Sequence, residues 1–248
     1  MRARLIAFLL AIGSATADET EFRRAREWIL RTSEDRGLVE VRSIGTSVEG
    51  RDLSVLRISR ARPGAPGVYL GGSIHGREFS HKGLLAALDR VLGRRDDPDV
   101  RRLLATRVLW VQPMMNPDGV AHTTRKNARG VDLNRNFGYR WGENWSRRPG
   151  PDDDRYIGER PFCEPESRAV AAFLRAQPSI GVYFDVHGSS RILFTPFGGQ
   201  GPPPSAGLMD LYAGLDEAMG RYNQGRDPRI VATVSSGSGY TIDWVHGI

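Results

Sequence analysis

The sequence predicts an α/β fold: a single domain with a mixed, mostly parallel central sheet and helices on both faces. Three observations predict it. Apolar runs at Gly67-Val-Tyr-Leu-Gly-Gly-Ser-Ile74, Arg107–Pro113 and Ile180–Val186 are short and bounded, as strands buried on both faces are. Segments with helical apolar spacing alternate with these runs. Gly67 to Pro113 reads strand, helix, strand within about 45 residues, a βαβ unit that implies parallel pairing.

The elements follow in order. Asp18 to about Arg31 reads as a helix with Phe22, Ala25, Trp28 and Ile29 on one side. Leu38–Ile44 and Leu53–Ile58 read as strands joined through a turn at Glu49-Gly50-Arg51. After the Gly67–Ile74 strand, a helix is expected from about Glu78 to Leu92, closed by Gly93, a residue suited to a helix C-terminus. Asp99–Ala105 is a short helix. Asn116–Pro165 reads as loop, and a loop this long inside a compact domain usually carries function. Glu164–Ala176 is helical, and Ile180–His187 and Ile192–Thr195 are strands. Ser205–Tyr222 is a helix whose Leu208, Leu211, Tyr212, Leu215 and Met219 stripe faces a core. Ile230–Val234 is the last clear strand.

Residues 1–17 have the form of a secretory signal. Arg2 and Arg4 precede an apolar stretch from Leu5 to Ile12, and Ala15-Thr16-Ala17 supplies small residues for cleavage. Residues 18–248 then form one domain, expected to act as a monomer. No other stretch approaches the ~20 apolar residues of a membrane span, so no stable membrane association is expected. The formal net charge is +6, but the arginines alternate with acids along the chain. A nucleic-acid-binding face clusters its charge, so no nucleic-acid partner is expected. The single cysteine, Cys163, permits no internal disulfide and reads as a structural thiol.

The chemistry starts at His75-Gly-Arg-Glu78, where a strand gives way to a helix. Imidazole nitrogen and carboxylate oxygen at this spacing supply two of the three protein ligands of a catalytic zinc, which keeps a fourth position open. A lone His-x-x-Glu is weak evidence. What strengthens it is His187, at the end of the Ile180–Val186 run. Both ligand groups then leave the carboxyl ends of buried strands, where α/β sheets bind their ligands. Asn134-Arg135-Asn136 is compatible with ordinary turn chemistry, but an amide beside a guanidinium fork also suits a carboxylate. His81 shares a helix face with Glu78 and is a competing ligand; His122 and His246 are expected in loops.

Eight segments, in order, resemble the zinc carboxypeptidase family related to carboxypeptidase A. They are Ser47-Val-Glu-Gly-Arg51, Ile74-His-Gly-Arg-Glu78, Asn116-Pro-Asp-Gly119, Arg125-Lys-Asn127, Val131-Asp-Leu-Asn-Arg-Asn136, Cys163-Glu-Pro-Glu-Ser167, Asp185-Val-His-Gly188 and Thr241-Ile-Asp-Trp244. The resemblance implies a zinc (Zn2+) site of His75, Glu78 and His187, with Asp132 orienting His75. It implies that Arg125 stabilises the oxyanion, Asn134 and Arg135 hold the substrate's terminal carboxylate, and Arg77 contacts the peptide upstream. Ile242 matches a specificity-pocket position and implies apolar C-terminal side chains. The implied substrate is the C-terminus of a peptide or protein, met in the periplasm or outside the cell.

Two departures from the family pattern stand out. The family tyrosine position is Ser235 here, with Tyr240 nearby. The family's general-base Glu lies on a strand past the Asp-Trp pair, and the sequence stops at Ile248, so the domain is expected to be incomplete at its C-terminus and poorly active as it stands. Three functions remain open: a carboxypeptidase, a cell-wall peptide amidase with the same zinc site, and a non-catalytic zinc- or peptide-binding domain. The Asn134-Arg135 pair favours a substrate with a terminal carboxylate without separating the first two. Sequence beyond Ile248 would separate the third.

Overall fold

The structure, a computed structural model, describes residues 19–35, 37–143, 145–188, 192–194, 205–222, 229–231 and 240–246. The signal-like segment and Ser235 lie outside the described residues. The elements run α1 (Thr20–Thr32), β1 (Val39–Thr46), β2 (Asp52–Ile58), β3 (Gly67–Gly72), α2 (His81–Gly93), α3 (Pro98–Thr106), β4 (Val108–Gln112), α4 (Pro117–Ala121), α5 (Pro165–Arg175), β5 (Ile180–Val186), β6 (Ile192–Phe194), α6 (Ala206–Tyr222), β7 (Arg229–Val231) and α7 (Thr241–His246).

The sheet order is β1-β2-β4-β3-β5, with β6 and β7 paired separately. β3 pairs parallel with both β4 and β5, as the βαβ reading requires. β1–β2 and β2–β4 are antiparallel, which makes the sheet mixed. Alternating side chains feed two cores. On one face Leu56, Ile58, Leu109 and Val111 meet Trp28 and Ile29 of α1 and Leu84, Leu85 and Leu88 of α2. On the other, Val55, Tyr69, Val108 and Trp110 meet Val170, Phe173 and Leu174 of α5 and Trp244 of α7. Helices therefore cover both faces, as the sequence predicts. No helix among the described residues is long and apolar enough to cross a membrane.

Three local expectations need correction. The helix after His75 does not run unbroken from Glu78. Gly76–Glu78 form a single 3₁₀ turn, Phe79 turns left-handed at φ 49°, and α2 starts at His81. The Asn116–Pro165 loop contains α4, started by Pro117 and capped by Asn116 Oδ1 accepting from the Gly119 N–H at 2.8 Å, and a second 3₁₀ turn at Leu133–Arg135. His246 ends α7 instead of lying in a loop.

The rest of that loop is tied down by two asparagines. Asn127 donates to Glu164 Oε2 and Glu166 Oε2 at 2.7 and 3.2 Å. Asn136 donates to the Ile157 carbonyl at 2.9 Å and accepts from Ser167 Oγ at 2.7 Å. Side-chain amides here replace the ladder bonds that a strand would have made. Cys163 joins the second anchor, taking the Asn136 amide at 3.1 Å, which fits its reading as a structural thiol.

The 3₁₀ turn packs directly on α4. A Cβ on Gly76 would lie 1.9 Å from the Gly119 carbonyl carbon, so only glycine fits this contact. Gly83, exposed on α2, has nothing within 4 Å of a Cβ position. Gly76→Ala should therefore cost more than about 2 kcal/mol, whereas Gly83→Ala should stabilise by up to ~1 kcal/mol. Urea midpoints of the two variants give the test; equal shifts would contradict the packing.

Candidate active site

β3 and β5 are neighbours, and their register ends with Gly72 opposite Val186. His75 and His187 each leave one of these strand ends. Between β3 and α2 the chain turns sharply, with two non-glycine residues at positive φ: Ser73 at 51° and Phe79 at 49°. Such conformations cost of order 1–3 kcal/mol each and persist only where the surroundings impose them. Here the ends of the turn are clasped. The Ser73 N–H donates to Ser80 Oγ at 2.7 Å, the His81 N–H donates to Ser73 Oγ at 3.1 Å, and Ser73 Oγ lies 3.0 Å from His81 Nδ1. His81 thus faces the clasp and is not part of the ligand cluster. Burial depresses its pKa to about 4, so it is neutral.

The clasped turn brings the three expected ligands together. One donor atom each from His75, Glu78 and His187 lies within 4.8 Å of the others. Glu78 sits between the rings, with Oε1 2.7 Å from His75 Nδ1 and Oε2 3.0 Å from His187 Nδ1. The Gly188 N–H also donates to Glu78 Oε2 at 3.0 Å. Burial alone would raise the Glu78 pKa, but the bonds to His187 and His75 hold it well below the usual carboxylate range.

Each imidazole turns Nδ1 inward and Nε2 toward a carboxylate. His75 Nε2 is 3.1 Å from Asp132 Oδ1, and His187 Nε2 is 3.3 Å from Asp185 Oδ2. This is the pattern of metal-bound histidines whose outer nitrogen is oriented by an acid. Two imidazole nitrogens and a carboxylate oxygen suit zinc, which binds them at about 2.0–2.2 Å. The donor set therefore fits the metal that the sequence implied. Without a metal, partial burial works against charge on His187, but Asp185 and Glu78 raise its pKa to about 10.

Arg125 stands beside the cluster. Its Nε and Nη2 donate to Asp132 Oδ2 at 3.1 and 2.7 Å, and its Nη1 lies 3.2 Å from His75 Nδ1. Asp132 thus fixes His75 with one oxygen and Arg125 with the other. Burial would raise its pKa, but His75, Arg135 and Arg125 hold it well below the usual range.

Asn134 and Arg135 form the next layer. Asn134 Oδ1 accepts from both the backbone N–H and the hydroxyl of Thr241 at 3.0 Å, so its amide nitrogen faces His187 Nε2 at 3.4 Å. Arg135 is buried, donates from Nη1 to the Asn134 carbonyl at 2.8 Å, and stacks its guanidinium 3.9 Å from the Tyr240 ring centroid. Its Nε has no hydrogen-bond partner among the described residues. Ile242 follows Thr241 on α7 and is half-buried. Arg77 lies at the rim, half-exposed, with Nη1 3.3 Å from Asp154 Oδ2.

Sequence reasoning passed over Asp185 and Thr241. Asp185 had a signal: two residues before His187 on a strand, it points to the same face. Thr241 had none, because its role depends on where α7 packs.

Residues 25–247 match the zinc carboxypeptidase family. The mosquito (Anopheles gambiae) protein "Zinc carboxypeptidase A 1" is 29% identical over 227 residues, 84% of this chain and 52% of its own length. Human carboxypeptidase A6 is 31% identical over 178 residues, covering 65% of this chain and 40% of that protein. Among solved structures, carboxypeptidase A from Helicoverpa armigera superposes with a TM-score of 0.81 at 24% identity, over 96% of this chain and 65% of that one. The fold and the match over nearly the whole sequence make the chain a member of the zinc carboxypeptidase family. It spans about half the length of the curated relatives it matches.

The ligand geometry makes a direct prediction. The full-length protein should bind about one zinc per chain, and His75→Ala or His187→Ala should weaken binding strongly. Asp132→Asn, which perturbs orientation and not ligation, should cost about 10–100-fold in affinity. Competition with a chromophoric chelator measures all three; unchanged zinc content in both histidine variants would dismiss the site.

Proposed function

We propose that this protein is an exported, zinc-dependent carboxypeptidase that releases the C-terminal residue of peptides. The observation that carries this reading is Arg135. A buried guanidinium whose Nε has no partner among the described residues, next to an asparagine that reaches a proposed metal ligand, calls for an anion at that place. A peptide's terminal carboxylate is the anion that would set its last peptide bond beside His75, Glu78 and His187.

In this reading His75, Glu78 and His187 hold the zinc. When bound, zinc supplies a Lewis acid for the scissile carbonyl and lowers the pKa of a coordinated water. The remaining work falls to the protein. Arg135 binds the carboxylate through its guanidinium fork, held flat against Tyr240. Asn134, its carbonyl fixed by Thr241, turns its amide hydrogens inward. Arg125, fixed by two bonds to Asp132, presents a preorganised positive charge where the oxyanion develops. Ile242 lines the pocket for an apolar C-terminal side chain, and Arg77 meets the peptide upstream. Glu78 and Asp132 are both engaged by histidine, and Asp132 by Arg125 as well, so neither is open to take a proton from water. That acceptor is expected from the strand that the family resemblance places beyond Asp243-Trp244. The signal-like residues 1–17 support export, and the protein is taken to act as a monomer.

Arg135→Ala discriminates this reading in the full-length protein. A charge-assisted bidentate contact is lost, so kcat/KM for free-acid peptides ending in an apolar residue should fall on the order of 100-fold or more. The already poor turnover of C-terminally amidated peptides should barely change. Equal losses on both substrates would assign Arg135 to the fold alone.

A further inference from the structure

Asp185 has a role that the carboxypeptidase reading does not use. Its side chain is 2% exposed, and Oδ2 lies 3.3 Å from His187 Nε2. Apart from that contact, neither oxygen has a hydrogen-bond partner among the described residues. A buried carboxylate without hydrogen bonds is costly, and such a group normally has a purpose. Its surroundings do nothing to relieve the cost. Across the ladder stands Gly71, and the Met115 thioether sits so close that a Cβ there would meet Sδ at 2.6 Å. Nearby Tyr69 and Tyr183 stack at 5.3 Å; burial and then the charge of Asp185 raise both phenols, so neither ionises to compete. The ion pair with His187 is the contact that accounts for Asp185.

His187 Nε2 has another neighbour, the Asn134 amide nitrogen at 3.4 Å. The two neighbours demand opposite tautomers. Asn134 is a donor there and needs a bare nitrogen; Asp185 is an acceptor and needs a protonated one. A charged acceptor makes roughly twice as strong a bond as a neutral one. Among the described residues Asp185 also has no other donor to turn to, whereas the amide hydrogens of Asn134 would serve a bound carboxylate.

We infer that Asp185 is a positioning residue that keeps the proton of His187 on Nε2 and so leaves the Nδ1 lone pair facing Glu78 for a metal. Asp132 does the same for His75, but it is shared with Arg125 and with the Asn134 N–H at 3.0 Å. Asp185 serves His187 alone. The inference rests on the zinc-binding reading above.

The test uses full-length protein labelled with ¹⁵N-histidine, zinc as the probe, and the variants Asp185→Asn and Asp185→Ala. In zinc-loaded wild type, the His187 nitrogen shifts should report Nε2–H and metallated Nδ1. Asp185→Ala should weaken zinc binding by about 10–100-fold. Asp185→Asn, whose carbonyl accepts the same proton, should fall between the two. A purely structural Asp185 would change the unfolding midpoint without moving the His187 shifts. His187 metallated through Nε2 in the wild type overturns the inference without recourse to any variant, as do zinc affinities within twofold of wild type for both variants. A wild type that binds zinc but fails either comparison removes only the role of Asp185. A wild type that binds none at His75, Glu78 and His187 removes the metal reading with it.

Discussion

The site depends on the parallel pairing of β3 with β5. Their register places Gly72 opposite Val186, so both chains leave the sheet at the same level, three residues before His75 and one before His187. A strand's side chains alternate, so a one-residue slip would turn Asp185 and His187 to the opposite face. It would also carry Tyr183 away from Tyr69, whose hydroxyl is held by Gln112. The ring stack in the core and the ligand pair at the strand ends therefore fix the same register. Stability and the geometry of the proposed metal site are set by one constraint.

Around that fixed level, the irregular segments are rigid by hydrogen bonding and not by regular structure. Asn127 and Asn136 anchor the long loop to α5, while of the arginines close to them in sequence Arg125 reaches His75 and Arg135 stacks on Tyr240. The same short motifs thus hold the loop and furnish the site. Preorganisation of this kind is what electrostatic catalysis needs, because donors already in place cost no reorganisation when charge develops. The left-handed Ser73 and Phe79 belong to the same scheme. Their strain is held by the Ser73–Ser80–His81 clasp, and the result is a turn tight enough for His75 and Glu78 to face one another across 2.7 Å.

The sequence made some of this legible and hid the rest for physical reasons. The buried strands were legible because unbroken apolar runs have few other readings. His75 and His187 were legible because they end such runs. Asn134 and Arg135 drew notice as an amide beside a guanidinium fork, but Arg125 and Asp132 came only through the family resemblance, since nothing in a Gly- and Asn-rich loop says which way a side chain turns. The broken helix start was hidden, because an unbroken pattern from Glu78 is the locally cheaper choice and tertiary contacts with Ser73 and Gly119 override it. The antiparallel pairing of β1 with β2 was legible in the Glu49-Gly50-Arg51 hairpin turn, but its place in the sheet was hidden: alternation of strands and helices does not reveal that β2 lies beside β4. Asp185 carried a signal in its place two residues before His187, but it was passed over because a single acid within an apolar strand looks like an interruption.

The charge balance of the cluster explains why so many acids are tolerated under so little solvent. Glu78, Asp132 and Asp185 gather within one small region; among the described residues Arg125 and Arg135 are cations beside them, and Arg155 is near enough to feel Asp132. Asp185 and Glu78 face His187 and favour its protonated form when no metal is bound, which is why its pKa is raised. On the proposed reading, His75, Glu78 and His187 would hold a dication in the place of that proton, which would add positive charge to the region. A substrate carboxylate on Arg135 would bring charge of the opposite sign beside it. The anion is thus called for by the whole cluster as well as by the arginine that would touch it, and binding of metal and of substrate should be mutually favourable. Coupling of that sign follows from the opposite charges of the metal and the carboxylate, whichever side chain the C-terminal residue carries.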